Sequence, residues 1–208
     1  YSTVSETFDA LPGVENTFDG PVLGVDYRRL TPNGSARISF DSRLTSRDRQ
    51  NTLEFGRILT LPKGALDFTI GAAAGEDFDP RPIGSIAYNT ATPRSAFNIG
   101  LSRTASLSDT LNQSTETTRF DVGYQHELTS ISSISLDMYY ADVALIGNGT
   151  SGAGRERGSF YASYSHAVAK NWDLVVGYEH RYYNPDSGAA ANSDGVFISF
   201  QPRLKMFQ

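Results

Sequence analysis

The sequence predicts an all-β chain, an up-and-down antiparallel transmembrane β-barrel of about twelve strands, with ten or eleven recognisable strands as the alternative count. Three observations predict it. Apolar and polar residues alternate with period two along almost the whole chain, the mark of strands with two different faces. The alternating segments run to about 9–12 residues, where ~9–11 tilted residues cross a bilayer. Short and long links between them succeed one another strictly, as in a barrel with tight turns at one end and loops at the other.

In chain order, the first weak alternation lies at 21–30. The next segment sets Ala36, Ile38, Phe40, Ser42 and Leu44 against Arg37, Ser39, Asp41 and Arg43. A weaker one covers 51–61, and then Leu66, Phe68, Ile70, Ala72 and Ala74 alternate with Asp67, Thr69, Gly71 and Ala73. After a weak segment at 83–91 come Phe97, Ile99 and Leu101, then Phe120, Val122 and Tyr124. Ile134, Leu136, Met138 and Tyr140 oppose Ser135, Asp137, Tyr139 and Ala141, and Phe160, Ala162, Tyr164 and His166 oppose Tyr161, Ser163 and Ser165. In 172–183, Trp172, Leu174, Val176, Tyr178, His180 and Tyr182 share one face and Asp173, Glu179 and Arg181 the other, with a last weak segment at 194–201.

The short links (31–35, 62–64, 92–94, 129–132 and 169–171) mostly carry the Pro, Gly and Asn of tight turns. Longer polar links are expected at 46–50, 75–82, 106–116, 143–157 and 184–193. If the short turns are periplasmic, the segment at 21–30 descends and an ascending strand is expected within residues 1–12, although these alternate poorly. An even count brings both termini to the same side.

Composition limits the alternatives. The 208 residues are read as a single β-barrel domain, 1–208. No apolar run approaches the ~18 residues of a spanning helix. The absence of cysteine excludes disulfides and thiolate metal sites, and a net charge of -5 gives no reason to bind nucleic acid. Tyr1 to Glu6 lack the basic start and apolar stretch of a signal peptide, and a chain opening on Tyr1 reads as one from which an initial segment was removed.

The polar face decides between a soluble core and lipid. It holds Asp26, Arg28, Arg37, Asp41, Arg43, Glu54, Asp67, Arg119, Asp121, Asp137, Asp173, Glu179 and Arg181. These acids and arginines can pair across a wet lumen, whereas a midplane Arg facing lipid costs ~2–4 kcal/mol. Lysine, the usual guard of soluble edge strands, is confined to Lys63, Lys170 and Lys205. Tyr27, Tyr88, Tyr124, Trp172, Tyr182 and Tyr183 fall near segment ends, where an interfacial girdle sits. Arg57 objects, since it shares parity with Leu53, Phe55, Leu59 and Leu61; a bulge or another register is the expected repair.

On this pattern, and on a C-terminal run of Val196, Ile198, Phe200, Leu204 and Met206 ahead of Phe207, the chain resembles bacterial outer-membrane β-barrel proteins. The resemblance is one of architecture and covers nearly the whole chain without a family-specific motif. Pro202 and the final Gln208 depart from the usual terminal signal.

Catalytic candidates weaken on inspection. His126, His166 and His180 all share the apolar parity. His180 is expected between Phe160, Ala162 and Tyr164 on one side and Val196, Ile198 and Phe200 on the other, with no serine nucleophile in reach. Asp121 and Asp137 can approach each other as an inward carboxylate pair, against simple salt-bridging with Arg119 and Arg181. The G-x-G-x-x-G match at Gly147–Gly152 has neither preceding strand–helix unit nor following helix. Glu76, Asp77 and Asp79 lack the spacing of a calcium loop. Arg28, Arg37 and Arg43 form either an anionic-solute ladder or the partners of Asp26, Asp41 and Glu54.

The sequence reading is therefore a non-enzymatic, cofactor-free and metal-free barrel of the bacterial outer membrane. Its function is read as a small passive channel for hydrophilic or charged solutes, with Arg28, Arg37, Arg43, Asp41, Glu54, Asp67, Arg119, Asp121, Asp137, Glu179 and Arg181 as lumenal charges that set selectivity. Expected partners are outer-membrane lipid, a small hydrophilic solute, and further copies or an envelope complex. The alternatives are a structural or export-machinery barrel, an outer-membrane enzyme acting on lipid or peptide, and a soluble ligand-binding β-barrel.

Overall fold

A computed structural model describes residues 2–3, 21–44, 49–76, 78–108, 113–147, 154–186 and 188–202. Its strands are β1 (Ser2–Thr3), β2 (Pro21–Thr31), β3 (Gly34–Leu44), β4 (Arg49–Leu61), β5 (Gly64–Gly75), β6 (Arg81–Ala91), β7 (Ser95–Ser108), β8 (Gln113–Thr129), β9 (Ser132–Ile146), β10 (Gly154–Ala169), β11 (Trp172–Pro185) and β12 (Ala191–Pro202). They form one sheet in which each strand pairs with its neighbours in the chain, always antiparallel. This is the up-and-down arrangement, and β2 to β12 are each 11 to 17 residues long, enough to cross a bilayer when tilted.

The strands grow at the long-link end beyond what alternation reveals. β7 reaches Ser108 and β8 starts at Gln113, where a link over 106–116 was expected. β9 likewise reaches Ile146 and β10 starts at Gly154, inside the expected 143–157 link. There the alternation lapses: β8 and β10 begin polar on both faces, and β9 ends on the apolar run Val143–Ile146. Of the ascending strand expected within 1–12, the two residues Ser2 and Thr3 pair with Val22 and Pro21, and the others lie outside the described residues.

Antiparallel partners share a face, so the registers separate two surfaces. One carries Leu23, Val25 and Tyr27, then Ile38 and Phe40, Leu53 and Phe55, and so on to Val196, Ile198 and Phe200. These are exposed despite their apolarity, Val196 to 78% and Ile70 to 65%. The opposite surface carries the charges, and of the buried apolar residues Ala73, Ile83, Ala141, Val143 and Val175 belong to it. An apolar outside and a polar, more enclosed inside is the reverse of a soluble core. That inversion is the physics of a strand sheet solvated by lipid.

Arg57 requires a correction. β4 contains no bulge: Arg57 stands in regular register between Ala36 of β3 and Phe68 of β5, on the apolar surface. It lies toward the short-turn end of β4, with Arg29 of β2 across Ala36, where a long cationic side chain can snorkel to the interface. The two register shifts occur elsewhere, at Glu127/Thr129 and Ala167/Ala169, both beside short turns. Tyr183 also leaves the expected girdle, because its partners Arg157 and Ala191 are on the charged surface.

At the long-link end the sheet bends. The β6–β7 ladder stops at Gly84 and Arg103, while β7 continues with β8 to Ser108. Ala105, on the outward parity of β7, packs in one buried cluster with Ala73 and Ile83, which have inward parity, and with Phe78 and Ile146. An outward side can meet an inward side only if the ends of β7 to β9 lean across the mouth. Gln50 of β4 fixes that lean, donating its Nε2–H to the Ala105 carbonyl at 2.8 Å.

Candidate functional site

The registers bring all eleven expected lumenal charges to one surface. Arg28 stands opposite Arg37, and Arg43 opposite Gln50. Asp41 stands opposite Gly24, Glu54 opposite Ser39 and Gly71, and Asp67 opposite Ile58 and Ala87. Arg37 sits between two carboxylates, its Nε 3.9 Å from Asp26 and its guanidinium 4.0 Å from Glu54. The Arg28, Arg37 and Arg43 group is therefore mixed with acid, not a bare cationic ladder. Gly24 matters locally, because a Cβ there would come within 2.8 Å of the Asp41 carboxylate.

On the other half of the sheet, Arg119 donates from Nε to Asp121 at 3.3 Å and lies over the Tyr139 ring, 5.3 Å from its centroid. Arg181 donates from Nε to Glu179 at 2.6 Å. Asp137 accepts from the Ser135 hydroxyl at 3.0 Å. Asp121 pairs in register with Tyr139, and Asp137 with Gly123 and Tyr161, so the two expected partners stand diagonally and each carboxylate has its own donor. That arrangement suits solvation of charge, not a shared-proton acid pair.

Sequence reasoning passed over several residues of this surface. Arg81, Arg155 and Arg157 point inward by register, as do the rings of Tyr139, Tyr161, Tyr183 and Phe197. Tyr161 and Phe197 stack with centroids 5.5 Å apart and planes 18° apart. Gly177 makes room for this: a Cβ there would collide with the Phe197 ring and stand 2.9 Å from the Ala162 carbonyl oxygen. The missed signal was Phe197 itself, one step out of phase with Val196, Ile198 and Phe200.

The outward surface holds the histidines, as parity indicates. His180 has Phe160 on its β10 side as expected, but its β12 partner is Asp194, which accepts from His180 Nδ1 at 2.8 Å and from the Tyr178 hydroxyl at 2.5 Å. β12 begins before residue 194, which the alternation did not reveal. His126 shares a 2.7 Å hydrogen bond with the Ser95 hydroxyl beside the short turn before β7, and His166 one of 3.4 Å with Tyr164. The serine–histidine and histidine–aspartate pairs thus lie on different strands at different heights, and no nucleophile, base and orienting acid come together among the described residues.

Among the described residues no group of three or more metal-ligating side chains gathers; Asp77 lies outside them, as does most of the 147–152 glycine motif.

No protein-family model and no curated protein matches the sequence. Among solved structures, the chain is similar to the outer membrane channel DcaP of Acinetobacter baumannii, with a TM-score of 0.54, 12% identity, and 93% of this chain and 68% of that one covered. A loop L8 deletion mutant of OmpT, an outer membrane protein of Vibrio cholerae, superposes more loosely, with a TM-score of 0.46, 11% identity, and coverage of 94% and 83%. The likeness to DcaP is one of fold, and the fold is the outer-membrane β-barrel.

Proposed function

We propose that the protein is a passive channel of the bacterial outer membrane for small hydrophilic solutes, with its short turns in the periplasm and its charged surface lining the lumen. One observation carries this reading. The eleven charges picked out along the chain share one surface, while the opposite surface is an exposed apolar band. Charges of both signs along a wet wall filter solutes by size and local field instead of holding one ligand tightly.

Arg37 between Asp26 and Glu54, and the pairs Arg119–Asp121 and Arg181–Glu179, would form a lumen of alternating sign. The leaning ends of β7 to β9, pinned by Gln50, would narrow its outer mouth. Single-channel recording of the folded protein in planar bilayers tests the reading: discrete conductance steps are expected, and a folded, membrane-inserted protein that gives none overturns it.

A further inference from the structure

Across β9 to β12 the inward surface carries a diagonal strip of rings. Tyr139 stands opposite Asp121 on β8 and Ser159 on β10; Tyr161, one step nearer the short turns, stands opposite Glu179; Phe197 follows, opposite Gly177. We propose that this strip, Tyr139, Tyr161 and Phe197, is a binding track for the ring of a neutral sugar. The inference rests on the channel reading and names the solute class of that same lumen.

Three features point to this chemistry. First, Tyr161 and Phe197 stack with centroids 5.5 Å apart, a separation that offsets the rings laterally, and both residues are half-buried; aromatic faces attract the C–H-rich face of a pyranose. The arrangement is built, since Phe197 reaches over the wall only because position 177 is Gly. Second, the strip is edged by groups that bond hydroxyls: the Arg119–Asp121 and Arg181–Glu179 pairs present donors and acceptors side by side. Inward serines add two from β9, three from β10 and two from β12. Third, charge cancels. Arg119, Arg157 and Arg181 face Asp121, Asp137 and Glu179 on the same patch, three against three. An anion or cation finds no net field there, whereas a polyhydroxylated neutral ring loses nothing by it.

Calorimetric titration of the detergent-folded protein tests the track independently of conductance. The probes are maltotriose, the open-chain polyol sorbitol and benzoate. Maltotriose is expected to bind measurably and more tightly than either comparator. Tyr161→Leu and Phe197→Leu, which keep apolar volume but remove the ring, are expected to weaken it about three- to tenfold, and the outward Tyr140→Leu to leave it unchanged. A β-sheet circular-dichroism spectrum matching that of the wild type shows that the variants fold. No heat with maltotriose, unchanged affinity in both ring variants, or tighter binding of benzoate would overturn the track while leaving the channel reading standing. A wild-type protein that binds maltotriose yet never conducts would uphold the track and remove the channel.

Discussion

From β2 to β7 the described strand residues of the inward surface include four arginines, Arg28, Arg37, Arg43 and Arg81, four acids, Asp26, Asp41, Glu54 and Asp67, many small residues and not one aromatic ring, Phe78 lying in the link between β5 and β6. From β8 to β12 it presents a similar balance of charge and four rings, Tyr139, Tyr161, Tyr183 and Phe197. The two walls share strand lengths, pairing and alternation. They differ in what a solute would feel: field alone along the first, and field with dispersion along the second. The architecture sets which face is wet, and side-chain choice on that face sets the chemistry.

The contrast between the surfaces should break first. Phe55 stands at the middle of β4 on the apolar side; Phe55→Arg is expected to cost ~2–4 kcal/mol in a lipid bilayer. Ser102→Arg, inward on β7, should stay within about 0.5 kcal/mol. Urea unfolding from lipid vesicles compares the two, and equal losses would mean that the faces are assigned the wrong way round.

Next, Gly177→Val should cost ~1–3 kcal/mol by overpacking against Phe197 and the Ala162 carbonyl. The same change on the ring-free wall, at Gly24, would meet the movable end of the Asp41 side chain and cost less.

The lean across the mouth is smaller. Gln50→Ala removes a 2.8 Å hydrogen bond worth ~0.5–1.5 kcal/mol and should raise single-channel conductance; an unchanged conductance would mean that the leaning strands do not narrow the path.

Smallest in stability is Arg37→Ala. Its contacts of 3.9 and 4.0 Å are exposed and worth ~0–1 kcal/mol, yet the loss of a cation between Asp26 and Glu54 should move the zero-current potential toward cation selectivity.

Much of this was legible in the sequence, for reasons that also explain the failures. Lipid on one side and water on the other force strict alternation, so the face of Arg119 or Glu179 follows from counting. Alternation fades where both faces turn polar, as at the starts of β8 and β10, or where both turn apolar, as at Val143–Ile146 of β9, which is why those strand ends and the meeting of His180 with Asp194 were missed. Counting also assigns a face without saying what crosses it. The stacking of Phe197 on Tyr161 depends on a glycine in the strand between them, visible only once register is known. Arg57 failed differently: parity was right, and the expected bulge was an unneeded rescue, because a long side chain near a strand end tolerates the apolar face.

The antiparallel order has a consequence for the two flanks of the sheet. Chain direction reverses at every step, so β2 and β12, ten steps apart in the order, run the same way. A direct ladder between them would be the one parallel pairing in the protein. Antiparallel completion needs an intervening strand of opposite sense, and Ser2–Thr3, paired against Val22 and Pro21, has that sense. Direction alone, without any side chain, fixes which kind of strand can finish the wall.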